Sequence, residues 1–210
     1  MKGKRKERLA ALNREIILES AHKLFLEKGI PGTTMYDIAK EVGCSKTTIY
    51  TYFESKEELV NYLFFEGINY FQAKVHEEAE NSRKFKDFYT QLCGSVVAMH
   101  KEQPVYYEGV TGEAIFDENA PLENILNKIY LSGEANMSTI EQRITKALKE
   151  KEIVLADGMD ETIMFMWFCI MGIVEKSALK ESYIKHKLGK TREEFLEYAF
   201  SKLFSLIEQR

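Results

Sequence analysis

An all-α fold is expected from three observations. No segment sustains the two-residue alternation of a half-buried strand. Apolar residues instead recur at three- and four-residue spacing over long stretches. Three pairs of the form Ser/Thr-x-x-acid, Thr34 with Asp37, Ser55 with Glu58 and Thr191 with Glu194, mark helix starts. The chain has 210 residues, 45% hydrophobic and 30% charged. That is enough to bury a sizeable core and falls between one and two domains on length alone.

Met1 to Arg8 carries Lys2, Lys4, Arg5, Lys6 and Arg8 against a single Glu7. Such an arm suits phosphates or a minor groove, and equally a frayed, solvated terminus. From about Leu9 to Lys28, Ile17, Ala21, Leu24 and Phe25 follow helical spacing, and Gly29 with Pro31 stops the helix. Two short helices follow, Met35 to Val42 and Lys46 to Phe53, with Gly43-Cys44-Ser45 between them. Gly43 takes the left-handed conformation that ends a helix. Cys44 is a small apolar plug, and Ser45 caps the next helix. Ile38, Ala39 and Val42 give the first helix an apolar face, and Ile49 and Phe53, four apart, face back at it. A tight turn between two short helices is a helix-turn-helix, whose second helix enters the DNA major groove. Its outward set is Lys46, Thr47, Thr48, Tyr50 and Tyr52, side chains suited to phosphates, base edges and thymine methyls.

The helical pattern then runs from Ser55 through Leu59, Leu63, Phe64, Ile68 and Phe71 to about Glu80, which makes it the natural lever between head and body. A second body helix carries Phe85, Phe88, Tyr89, Leu92, Val96 and Met99 and ends near Gln103-Pro104. Residues 104–120 read as one short helix and loops. A long amphipathic helix follows from Leu122 to about Lys149, and Asp157-Gly158 breaks the pattern. The next helix, about Glu161 to Lys180, is apolar nearly all round at its centre. The last runs from Arg192 to Ile207.

The order Gly29, Thr33-Thr34, Asp37-Ile38-Ala39, Gly43, Ser45-Lys46, Thr48-Ile49-Tyr50, Tyr52-Phe53, Lys56-Glu57-Glu58-Leu59 resembles the N-terminal DNA-binding domain of the TetR family of bacterial transcriptional regulators. Thr47 departs from the pattern, since many members carry Gly there. The resemblance implies a three-helix helix-turn-helix DNA-binding domain over 1–56 and a helical effector-binding and dimerisation domain over 57–210. It also implies a homodimer that binds palindromic operator DNA as a repressor relieved by a small ligand, and a phosphate contact from Lys56. The DNA-contact set is then Thr34, Ser45, Lys46, Thr47, Thr48, Tyr50, Tyr52 and Lys56. Lys46, Thr47 and Thr48 approach base edges, Thr34, Tyr50, Tyr52 and Lys56 sit on phosphates, and Ser45 acts mainly as a cap.

The formal charge of -4 divides unevenly. Residues 1–56 hold 11 Lys/Arg against 7 Asp/Glu, net +4, and residues 57–210 hold 18 against 26, net -8. A basic head on an acidic body suits a phosphate partner. Three cysteines at 44, 93 and 169, with no CxxC, point to a reducing compartment, here the bacterial cytoplasm and its nucleoid. No apolar signal segment follows the basic N-terminus. The longest uncharged run, Thr162 to Val174, has 13 residues against the ~20 of a membrane helix, so a buried helix and no membrane partner are expected.

Two helices apolar on more than one face need more than one neighbour. Trp167, Ile170, Met171 and Val174, with Phe195, Tyr198, Leu203 and Leu206, are the candidate dimer interface, against the plainer reading as monomer core. Phe88, Tyr89, Tyr106, Tyr107, Phe116, Tyr130, Phe165 and Trp167 are the candidate effector pocket for a small apolar or aromatic molecule, although most such rings in a helical body are plain core. No cofactor or metal is expected. His76 and Glu80 stand four apart, a spacing that a solvated helix face explains better than a metal. Gly189-Lys190-Thr191 lacks the first glycine of a phosphate loop, and no catalytic signature is present, so an enzyme is not expected. The alternative to a regulator is a helical protein-binding or ligand-carrying module whose helix-turn-helix no longer serves DNA. The basic head argues against it.

Overall fold

The computed structural model describes residues 2–113 and 115–208, with side chains from Lys4 onward. Ten helices follow one another: α1 Lys2–Gly32, α2 Met35–Val42, α3 Lys46–Tyr50, α4 Lys56–Asn81, α5 Phe85–Glu102, α6 Pro104–Thr111, α7 Ile125–Lys149, α8 Met159–Leu179, α9 Glu181–Leu188 and α10 Arg192–Phe204. Among the described residues the only β pairing is an isolated bridge between Ile153 and Glu208, so the all-α expectation holds.

Several elements differ from the sequence reading, and the larger differences have local reasons. Met1 and the Lys2 side chain lie outside the described residues, but α1 already begins at Lys2. The basic stretch is therefore helix rather than loose arm, since Lys, Arg and Glu are good helix formers and no breaker intervenes. Gly29, at φ 74°, then interrupts α1 one turn before its end. Helix α3 stops at Tyr50, and Tyr52 and Phe53 both return their N–H to the Ile49 carbonyl. Helix α9 had no counterpart. It is closed by Gly189 in the left-handed region at φ 66°.

The chain packs as two compact units, one up to Tyr70 together with Gln103–Gly133, the other Phe71–Glu102 together with Glu134 onward. Packing thus groups residues differently from a division at 56, and two glycines show why. A Cβ on Gly67 of α4 would stand 2.7 Å from the Tyr106 Cα, and one on Gly109 of α6 would stand 2.7 Å from the Phe64 Cα. The two helices meet backbone to backbone, which only glycine permits. That contact draws α6 into the first unit.

The first unit is built on Ile17, Leu24, Ile38, Ile49, Phe53, Leu59 and Leu63, all but sealed from solvent. Its irregular stretch is pinned by one buried amide: Asn127 accepts from the Asp117 N–H at 2.8 Å and donates to the carbonyls of Asp117, Ala120 and Pro121. In the second unit α5, α8 and α10 pack together. Phe71 lies against Trp167, Tyr89 against Phe204, and Phe88, Val96 and Val174 are fully enclosed.

Where α1 meets α6, the His22 ring stacks on Tyr106 at 4.6 Å, and Tyr106 Oη donates to Glu66 at 3.2 Å. The His22 Nε2 is buried and has no hydrogen-bond partner among the described residues. Burial lowers the His22 pKa from 6.5 and raises that of Glu66, while burial first and then Glu66 push Tyr106 up to about 12. The folded state therefore prefers neutral imidazole. Its contribution is complete above about pH 6.5 and is lost as pH falls below that value. Glu66 works in the opposite direction, so the two must be separated by a variant. His22→Phe keeps the stack and removes the proton. Urea midpoints measured from pH 7.5 to 5 are expected to fall less for this variant than for the parent.

Candidate nucleic-acid interface and effector cavity

Helix α2 begins with a complete capping box. Thr34 Oγ1 accepts from the Asp37 N–H at 3.2 Å, and Asp37 Oδ2 accepts from the Thr34 N–H at 2.9 Å and from its hydroxyl. Those bonds from Thr34 hold the Asp37 carboxyl below its ordinary pKa. Gly43 closes the helix at φ 76°, and the Cys44 N–H returns to the Ala39 carbonyl at 2.9 Å. Ser45 then opens α3, its Oγ accepting from the Thr48 N–H at 3.0 Å and pairing with the Thr48 hydroxyl at 2.8 Å. Each of these groups sits where the local rules placed it.

The side chains of α3 divide cleanly. Ile49 is fully buried, whereas Lys46, Thr47, Thr48 and Tyr50 are exposed, with the Lys46 ammonium 5.6 Å from the Tyr50 ring centre. The Thr48 hydroxyl pairs with that of Ser45 while the residue stays exposed. Tyr52 is half-buried. Lys56 is occupied more than the resemblance implies: its ammonium donates to the carbonyls of Ile30 at 2.9 Å and Thr33 at 3.0 Å. One N–H remains beside the start of α2. Lys56 is thus first a clamp on the α1–α2 turn, where Thr33 is itself buried and bonded to Leu24 and Gly29.

Three residues carry weight here that spacing alone did not single out. Arg14 lies 4.3 Å from the Phe53 ring centre and 4.0 Å from that of Tyr62, donates to the Tyr52 carbonyl at 2.9 Å and reaches Glu58 at 3.4 Å. Asn13 donates to Tyr52 Oη at 2.8 Å. Tyr36, 65% exposed in the first turn of α2, stands on the same short helix that Thr34 caps. Its position after a cap was the available signal. Contacts made 39 and 38 residues along the chain, as by Asn13 and Arg14, leave none.

The second unit holds a partly open cavity of about 60 Å³ lined by Phe88, Tyr89, Ile144, Ile163, Trp167 and Ile170, among others. Its polar atoms are already engaged, with Tyr89 Oη donating to the Phe200 carbonyl and Thr162 Oγ1 to the Gly158 carbonyl. Only three of the eight candidate pocket rings, Phe88, Tyr89 and Trp167, meet there. Phe165 is 54% exposed and lines no part of it. Tyr106, Tyr107, Phe116 and Tyr130 belong to the first unit. There Tyr106 carries His22, Tyr107 is buried, and Phe116 lies against Tyr130.

The candidate dimer surface also needs correction. Ile170, Met171 and Val174 are buried within the protomer, and Trp167 lines the cavity, because the α8 face they share packs on α5 and α10. The outward apolar face of α8 is Met164, Phe165 and Phe168. Tyr198 and Leu206 of α10 are exposed, and Phe195 and Leu203 line an open groove of about 700 Å³ with Cys169, Ile173 and Lys202. By length and composition α8 is the one described helix apolar enough to cross a membrane.

Residues 17–63 match the family described as bacterial regulatory proteins, tetR family. An uncharacterized HTH-type transcriptional regulator, YhgD of Bacillus subtilis (strain 168), is 28% identical over 146 residues, 69% of this chain and 73% of that one. The HTH-type transcriptional regulator SAB2452 of Staphylococcus aureus (strain bovine RF122 / ET3-1) is 42% identical over 59 residues, which are 28% of this chain and 32% of that relative. The fold is similar to that of the regulator FadR from Bacillus subtilis in complex with stearoyl-CoA, with a TM-score of 0.64 at 18% identity, covering 92% of this chain and 99% of that one.

The Ser45 cap has a measurable consequence. Ser45→Ala removes the acceptor for the Thr48 N–H and is expected to destabilise the first unit by about 1 kcal/mol, while Ser45→Asp retains the cap. Chemical denaturation followed by circular dichroism checks both.

Proposed function

We propose that the chain, whose residues 17–63 match the tetR family of bacterial regulatory proteins, is a repressor that binds a palindromic operator as a homodimer and releases it when an apolar effector binds. The observation that carries the DNA-binding part is the exposed polar edge of α3, presented on a buried Ile49 in the basic part of the chain. In the proposed roles Lys46, Thr47 and Thr48 approach base edges. Thr34, Tyr50, Tyr52 and the remaining N–H of Lys56 hold phosphates, and Ser45 caps. The exposed Lys4, Arg5, Lys6 and Arg8 of α1 add positive charge to this unit, and exposed Tyr36 adds a further hydroxyl.

Dimerisation is supported by the apolar side chains that the protomer leaves in water, Met164, Phe165 and Phe168 on α8 and Tyr198 and Leu206 on α10. A second copy offering the same helices covers them. It also places two motifs on half-sites about one turn of DNA, ~34 to 36 Å, or a multiple apart. The effector proposal rests on the carbon-walled cavity and on the neighbour of similar fold solved with stearoyl-CoA. An acyl or aromatic group suits such a wall. At about 60 Å³ the space admits only part of one unless helices move apart. Helix α4 starts in the first unit and ends in the second, as does α7, so these two helices are covalent routes by which such movement changes the spacing of the two motifs. Only a ligand with different affinity for the two spacings can shift the equilibrium.

Selection of bound fragments from random DNA, followed by titration across a salt series, tests the DNA-binding part. Log affinity is expected to fall against log salt with a slope of about -0.9 per phosphate neutralised by a lysine or arginine. Lys56→Ala should weaken every sequence alike, whereas Thr48→Ala should change which operator is preferred. Equal scaling of all operators by both variants would contradict the assigned roles. For the effector, an acyl or aromatic compound that binds tightly and leaves operator affinity unchanged would rule out the release mechanism.

A further inference from the structure

The phenol of Tyr52 receives a hydrogen bond before it gives one. Asn13 Nδ2, on α1, donates to Tyr52 Oη at 2.8 Å. A phenol both donates and accepts, while an amide NH₂ only donates. The bond from Asn13 therefore occupies a lone pair and leaves the Tyr52 proton for another acceptor, and none of the described residues supplies one. The rest of Tyr52 is held on the protein side, its ring against the head core and its carbonyl by Arg14 at 2.9 Å. Lys6, seven residues before Asn13 and so two turns away on the same face of α1, is exposed. A cation and an unspent O–H donor thus lie along one edge of the first unit.

We propose that Asn13 is a positioning residue for operator binding, setting the polarity of the Tyr52 hydroxyl so that its proton is directed to a phosphate oxygen. An O–H donor to an anionic oxygen makes a short, charge-assisted bond. Pre-setting its direction removes a choice that a free hydroxyl would otherwise make on binding. The inference rests on the DNA-binding reading above.

Asn13→Asp is the sharpest probe, because a carboxylate only accepts and draws the Tyr52 proton inward. The full-length parent, N13D, Y52F and the double variant are titrated with a selected operator duplex between 50 and 200 mM salt, with thermal unfolding of each free protein recorded alongside. Both single variants are expected to lose one phosphate contact. Y52F then binds roughly tenfold more weakly than the parent at each salt concentration, as loss of about one charge-assisted hydrogen bond implies, with the parent's salt slope, because a neutral phenol releases no counterion. The double variant should bind no more weakly than N13D, since both substitutions remove one interaction. A merely structural role for Asn13 would lower the unfolding midpoint and leave operator affinity unchanged, which overturns the proposal. Summed effects in the double variant overturn it too, since they indicate simple repulsion by the new carboxylate. So does a Y52F affinity equal to the parent's. A parent protein that binds no duplex would overturn the DNA-binding reading and this proposal with it. A parent that binds while N13D keeps its affinity overturns this proposal alone.

Discussion

A five-residue helix cannot hold itself in water. Nucleating a helical turn fixes about six dihedrals for one hydrogen bond, and isolated helices below roughly 12 to 15 residues are marginal even with favourable residues. Helix α3, Lys46–Tyr50, contains two threonines and a tyrosine, none of them strong helix formers. It exists because Ile49 and Phe53 are buried to within 1% of full enclosure among α1, α2 and α4. Around that burial each end is tied: Ser45 caps the start, and the carbonyl of Tyr52 beyond the end is taken by Arg14. The polar edge offered to DNA is thus the outer side of a structure whose stability lies wholly on its inner side. Truncating Ile49 would remove the reading surface without touching a side chain that reads.

The same logic explains why the first unit takes in more of the chain than the motif. Two short helices and a turn bury too little apolar surface to stand alone. They are braced by α1 and the start of α4, and the base of that brace is closed by α6. The close approach at Gly67 and Gly109 and the His22–Tyr106 stack bind α6 to α4 and α1. Lys56 adds a polar tie, since its ammonium satisfies two carbonyls at a turn that helix geometry leaves without partners. An ammonium held in that way keeps one donor free. On the proposed reading, the residue serves the turn at all times and a phosphate only when one is present.

How much of this was legible in the sequence follows from how local each cause is. Gly43, Ser45 and the two capping boxes act over three or four residues, and the elements they bound fall within a few residues of expectation. Helix α9 was missed because its eight residues bury one side chain, Ile184, and leave Tyr183 and Leu188 exposed, so no apolar period marks it. Helix α8 was recognised, but its faces were not. When Met164, Phe165, Ile170, Met171 and Val174 are all apolar, composition cannot say which side meets α5 and α10 and which is left outside. Asn13 and Arg14 were invisible for the opposite reason: polar residues on a helix read as solvated face until a partner 38 or 39 residues away is in place.

The outward face of α8 and the shortness of α3 bear on each other. In the proposed roles one protomer presents about three side chains to base edges, and neither threonine can make the bidentate contact that is worth roughly 1 to 3 kcal/mol of discrimination. At about 1 kcal/mol each, one motif separates a specific site from bulk DNA by roughly 3 kcal/mol, below the roughly 4 to 10 kcal/mol typical of specific binding. Two motifs fixed in one rigid body bring the total to about 6 kcal/mol. Fixing them requires an interface, and the apolar side chains that α8 and α10 leave in water are a poor arrangement for a monomer and a natural one for half of a four-helix contact. On the proposed reading, the dimer is therefore what makes so small a recognition helix sufficient.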